Sequence, residues 1–142
     1  MTAFLPFSAE WADALKSSIT GDQGYRMAAK GWTWPIALVL AAAPALGYPD
    51  DLAVELELSR GECRSARLMR ADDVTAPFVL RADYATWKEI VQGQLDPLVA
   101  VTRRRVSFTG AMMTLLVHAR AAQAMVACAR KIPTRFPDDA AE

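Results

Sequence analysis

Apolar and polar positions in this chain alternate with a period of two in some stretches and recur every three to four residues in others. The switches fall at glycine, proline or aspartate. Leu52–Ser59 puts Val54, Leu56 and Leu58 on one face and Glu55, Glu57 and Ser59 on the other, the pattern of a half-buried strand. Arg60-Gly61 predicts a two-residue hairpin turn in which glycine supplies the positive φ, with residues 62–69 as a less cleanly patterned return strand. Phe78, Leu80 and Ala82 alternate with Val79, Arg81 and Asp83 in a further strand. Val106 and Phe108 alternate with Arg105, Ser107 and Thr109 in the last one. Residues 35–42 form a continuous apolar run, which predicts a strand covered on both faces, although its Ala and Leu content also allows a helix. Pro44, the 47–50 segment and Asp72-Asp73 mark loops.

The longer period predicts the helices. Ser8 is a candidate N-cap for a helix whose Trp11, Leu15 and Ile19 share a face up to Gly21, and a shorter helix is expected over 22–30. Asp83 caps a helix with Tyr84, Trp87, Ile90 and Val91 on one face, stopped by Gly93. Asp96 caps a short helix with Pro97 at its first position, lined by Leu98, Val99 and Val101. Gly110 then releases the chain into one long apolar helix over 111–131, roughly 30 Å at 1.5 Å per residue, ending before Pro133. Its circumference is mostly Ala, Met, Leu and Val, so it is expected to be buried or to face an apolar cavity. With no internal repeat or linker, the order of elements predicts one α+β domain with a mostly antiparallel sheet.

Composition narrows the functional classes. Hydrophobic residues make up 53% of the 142, enough for a core, and the formal net charge of zero creates no global attraction for nucleic acid. The charge is unevenly spread. Seven basic residues and no acidic one lie between Pro97 and Pro137, while thirteen acids face nine bases before them. That end reads either as solvated surface or as a contact for anionic headgroups or an acidic partner. The apolar 34–46 run holds two prolines and is too short for a membrane span of roughly 20 residues. Cys63 and Cys128 sit in no metal or redox spacing and read as reduced and structural, in a cytoplasmic setting. No basic region precedes an apolar one at 1–11, as a signal peptide needs, and Ala140-Ala141-Glu142 is not a peroxisomal address.

No chemistry-bearing motif stands out. His118 is the sole histidine and has no neighbouring metal ligands, so it reads as a helix histidine, with a Ser–His pair as the sharper alternative. Asp83 and Asp96 have capping roles, and Glu89 falls on the polar face of its helix, which leaves no obvious acid/base pair. Arg103-Arg104-Arg105 lacks the interleaved aromatics of a nucleic-acid site. No dinucleotide, phosphate-loop or nucleophile-elbow pattern is present, and no cofactor or metal is implied. Met112, Met113 and Met125 on one helix fit either plain core filling or a site accepting several apolar ligands. Trp32 and Trp34 read as core or rim residues. Residues 78–116 therefore resemble the wall of an apolar container.

The pieces FVLRAD, YATWKEIVQ, GQLDPLVA, RVSFTG and AMMTLLVHAR resemble, in order and spacing, the C-terminal half of the sterol carrier protein type 2 family of non-specific lipid-transfer domains. The correspondence is good over residues 75–120 and holds in outline upstream. It departs at Arg104-Arg105, where the family often carries Gly-Lys before its last strand. The resemblance implies a five-stranded sheet covered by helices around a hydrophobic tunnel for fatty acyl chains, phospholipids or sterol-like molecules, with no catalysis. It implies that Phe108, Met112, Met113 and Leu116 face the ligand, opposite Trp87, Ile90, Val91, Leu95, Leu98 and Val99. Binding of this kind needs no chemistry, since each Å² of apolar surface removed from water contributes roughly 25 cal/mol. The partners implied are a lipid and, in transient contact, an anionic membrane surface or an acyl carrier. A second reading makes the chain an accessory protein of a lipid or isoprenoid-quinone metabolic enzyme, and a third, a small enzyme on the same fold, rests on His118 and the carboxylates.

Overall fold

Ser8 opens the first helix as its position predicts. Its hydroxyl accepts the Trp11 amide, and α1 (Ala9–Thr20) buries Trp11, Ala12, Leu15 and Ile19 on one stripe. Asp22 caps α2 (Gln23–Ala28) in the same way, accepting the Tyr25 amide at 2.7 Å. The continuous apolar run becomes β1 (Ile36–Leu40), with all five residues buried. β2 (Leu52–Ser59) and β3 (Glu62–Arg70) form the hairpin around Arg60 and Gly61, both at positive φ. β4 (Phe78–Ala82) leads through the Asp83 cap into α3 (Tyr84–Val91), and the Asp96 cap opens α4 (Pro97–Thr102). β5 (Ser107–Thr109), α5 (Met112–Val117) and α6 (Ala119–Arg130) complete the chain. The computed structural model describes residues 3–139; the C-terminal tripeptide read as no peroxisomal address lies outside them.

The five strands form one sheet in the order β3-β2-β1-β4-β5. Three pairings are antiparallel, and β1 and β4 run parallel, with Leu38 opposite Leu80. The β2–β3 hairpin and the segment after it supply the crossover that a parallel pair requires. On the helix-covered face, Ile36, Leu38, Leu40, Val54, Leu56 and Leu80 join the core with α1, α3 and α6. The opposite face corrects the alternation read from sequence. Glu55, expected to be solvated, is buried because its carboxylate accepts the Thr75 and Ala76 amides at 2.9 and 3.0 Å. That contact lays the segment after β3 across the back of the sheet. It also explains why Ala37, which pairs with Glu55, is fully covered.

The second correction concerns the C-terminal helix. It is not one rod over 111–131 but two helices broken at His118, whose φ of −105° and ψ of 31° leave the helical basin. No glycine or proline causes the break. The His118 ring donates from Nδ1 to the Thr114 carbonyl at 2.9 Å and lies edge-on to Trp32 and Trp34, with centroids 5.4 and 5.8 Å away. Gly31 leaves room for it, since a Cβ there would stand 3.2 Å from Nε2. The tertiary contacts of this ring therefore override the helix propensity of the flanking residues. α6 alone is 12 residues, roughly 18 Å long.

Candidate functional site: an apolar seam beneath helix α6

Ala122, Met125, Val126 and Ala129 recur at helical spacing and form one stripe of α6, facing down onto the sheet. Leu38 and Leu80, neighbours across the β1–β4 pairing, make the floor beneath it. Trp11 and Leu15 close one side, and Trp87, Ile90 and Val91 of α3 close the other. Trp87 is fixed by its indole N–H, which donates to the Val39 carbonyl at 2.8 Å. The enclosed void has a volume of about 30 Å³ and is lined entirely by apolar residues. A second void of about 20 Å³ lies towards Trp32, Leu115 and His118, and shares Ala122 and Met125 with the first. A third, about 10 Å³, lies towards Phe7 and Phe136, and shares Trp87 and Val91.

These spaces are seeds of a tunnel rather than an open one. A void of 10–15 Å³ admits about one water, whereas pockets for drug-sized ligands run to about 300–1,000 Å³. A ligand of that size enters only if α6 lifts or its side chains swing aside. Two clefts at the surface lead to the same walls. One, about 220 Å³, shares Ile90, Pro97 and Val126 with the main void; the other, about 800 Å³, shares Val91. Gly93, Gln123 and Arg130 stand at the first mouth, and Gln92, Lys131 and Thr134 at the second.

The residues expected from sequence divide between the inside and the outside. Trp87, Ile90 and Val91 line the main void. Leu95 is buried at the smaller cleft. Leu98 is half-buried and lines none of these spaces, Val99 is exposed, and Phe108 is half-buried against Phe78 with ring centroids 5.9 Å apart. Met112, Met113 and Leu116 do not face the seam: they are 42%, 70% and 47% exposed, and Leu115 is the buried residue of α5. The stripe that replaces them, Ala122, Met125, Val126 and Ala129, carries its own 3–4 spacing.

The chemistry-bearing side chains are otherwise occupied. Asp83 accepts the Thr86 amide at 2.8 Å, and Asp96 accepts the Leu98 and Val99 amides. Glu89 is paired with Arg105, whose guanidinium hydrogen bond holds the Glu89 carboxyl below the usual carboxylate range. A general acid needs a shift in the opposite direction. Among the described residues, no group of three or more His, Cys, Asp or Glu is placed to hold a metal ion, and no helix is long and apolar enough to cross a membrane.

The structure is that of a small α+β protein with an apolar seam roofed by a helix. The chain belongs to the SCP-2 sterol transfer family, whose model matches residues 15–123. This is the family that the pieces between residues 78 and 120 resemble. A crystal structure of sterol carrier protein 2 is 36% identical, with a TM-score of 0.86 over 89% of this chain and 98% of that one. The solution structure of a conserved hypothetical protein from Thermus thermophilus is 34% identical, also with a TM-score of 0.86, over 95% and 94%. Sterol carrier protein 2 from Yarrowia lipolytica in its apo form is 13% identical with a TM-score of 0.56, over 84% and 88%, and shares the fold alone. No curated protein sequence matches the chain.

Proposed function

We propose that this protein binds a lipid, whether a fatty acyl chain, a phospholipid or a sterol-like molecule, in the seam beneath α6, and carries it without performing chemistry on it. The observation that supports this most strongly is the apolar main void, flanked by two smaller voids that share Ala122 and Met125, or Trp87 and Val91, with it as walls. A ligand threading them would replace poorly filled contacts with close packing, so its affinity comes from burial and dispersion. Membership in the family and 36% identity to a sterol carrier protein 2 agree with this reading. Titration of a fluorescent fatty acid into the purified protein tests it. Saturable binding at micromolar concentration, displaced by unlabelled lipid, is expected, and a flat titration with every lipid class tried contradicts it.

Loading and release need a surface contact. Four of the exposed large hydrophobic residues, Met112, Met113, Leu116 and Val117, lie on α5 at i, i+1, i+4 and i+5, so this helix turns its apolar stripe outward. Arg103, Arg104 and Arg120 lie before and after it in sequence and form no ion pair among the described residues. An anionic membrane surface accepts both features. The same stripe favours the second reading, in which the chain is an accessory subunit docked on an enzyme of lipid metabolism. Size-exclusion chromatography with candidate enzymes against flotation with anionic vesicles separates the two.

A further inference from the structure

The main void is lined by apolar side chains alone, so whatever orients a ligand in it must stand at its mouth. Arg130 is the cation placed there. It ends α6 and lines both surface clefts, each of which shares walls with the main void. It is exposed, and among the described residues its guanidinium has no ion pair and no hydrogen bond to a side chain or the backbone. Its guanidinium lies across Gly93. A Cβ at that glycine would fall 2.6 Å from both Nε and Nη2 of Arg130. The positive φ of 80° at Gly93 keeps the backbone turned so that this shelf stays open.

The neighbouring charges differ from Arg130 in being engaged. Lys131 is paired with Asp22 at 2.6 Å. Asp96, the acid at the same cleft, has one oxygen on the Leu98 and Val99 amides and the other on the Gln123 side chain at 3.0 Å. It therefore does not draw Arg130 into a pair. A planar guanidinium with free donors matches a carboxylate or phosphate group in a two-point geometry. The apolar voids run from beneath this end of α6 back towards His118, a helix length of roughly 18 Å.

Resting on the proposed lipid binding, we infer that Arg130 on its Gly93 shelf is an anionic headgroup subsite: it holds the carboxylate or phosphate of a single-chain lipid whose tail lies in the seam with its end towards Met125 and His118. The polarity follows from the geometry, since the opposite end of the row, at Trp32, offers Tyr25 and a histidine already bonded to Thr114, while Lys88 at the third void is already paired with Asp138 and Asp139.

Displacement of a fluorescent fatty acid by palmitate and by methyl palmitate tests the subsite, because the two ligands share a tail and differ in charge. The wild-type protein is expected to bind the acid at least about tenfold more tightly than the ester, the value of one charge-assisted hydrogen-bond pair. Arg130→Met keeps the aliphatic stem and removes the charge. It should abolish that preference and leave the ester's affinity unchanged, and Arg130→Lys should restore part of it. Hexadecyl phosphate against hexadecanol, run in parallel, shows whether phosphate or carboxylate is the better head. An acid preference that survives Arg130→Met, or a wild-type protein that binds both ligands equally, overturns the subsite while leaving the seam intact. Failure of both acid and ester to bind overturns the seam itself, and the subsite with it.

Discussion

Met125 is the side chain that separates the two larger voids, so truncating it should weaken the empty protein and strengthen its grip on a lipid. The residue is 4% exposed and borders spaces of about 30 and 20 Å³. Met125→Ala removes a buried flexible chain and joins these spaces. Met→Ala changes in cores cost about 2–5 kcal/mol, growing with the residual cavity. α6 is held by α1, α2, α3 and α4, so it does not collapse fully onto the gap, and about 3 kcal/mol is expected. At about 3–4 °C per kcal/mol for a domain of this length, the melting temperature should fall by about 10 °C. A fatty acid at a hundred times its Kd would return about 2.7 kcal/mol, most of that loss. The variant should also bind the acid several-fold more tightly, because the wild-type protein first has to open a closed seam. Differential scanning calorimetry with and without palmitate measures both effects, and Met125→Leu, a volume-conserving change costing less than about 1.5 kcal/mol, is the control. A Met125→Ala protein that melts within a degree or two of wild type, or that binds the acid more weakly, would refute this reasoning.

Other tests address the scaffold. Gly110 has φ of 133°, and a Cβ there would stand 2.6 Å from Phe78 Cδ1 and 3.0 Å from the Pro77 carbonyl, so Gly110→Ala should cost about 3 kcal/mol in chemical denaturation. Gly93→Ala should cost only about 1–2 kcal/mol, because Arg130 can move away and mainly the backbone strain remains. Asp22, Asp51 and Asp138 all have lowered carboxyl values, caused first by hydrogen bonds from Lys131, Arg81 and Tyr84 respectively. A carboxyl lowered in the folded state stabilises above its unfolded value and loses that contribution as pH falls through the folded one. Stability should therefore decline below about pH 4 and less steeply in Asp22→Asn, as followed by urea midpoints at each pH. Burial pushes the Cys63 and Cys128 thiols up to about 11, so neither should react with a thiol reagent at neutral pH until denaturant is added.

Much of the scaffold was legible because local chemistry decided it. Ser8, Asp83 and Asp96 cap the helices assigned to them, and Gly93 and Gly110 take the positive φ that ends one element and frees the next. The Trp11, Leu15 and Ile19 face is buried to 1% or less. The failures share a cause: each depends on a contact distant in sequence. Glu55 reads as solvent-facing because nothing in the alternation shows that Thr75 and Ala76 cover it. The helix break at His118 has no local breaker, and comes from a ring packed against Trp32 and Trp34 some eighty residues earlier. Met112, Met113 and Leu116, expected to face a ligand, are exposed, and it is Met125 that lies against the voids. The α3 wall of Trp87, Ile90 and Val91 was legible because one short amphipathic helix fixes it.

The central claim is that the seam beneath α6 takes a lipid, and native mass spectrometry of the protein purified without detergent tests it most directly. A population heavier by the mass of one lipid is expected, released on collisional activation, or formed at micromolar concentration when fatty acid or phospholipid is added. A spectrum showing only the bare chain, before and after that addition, would contradict it.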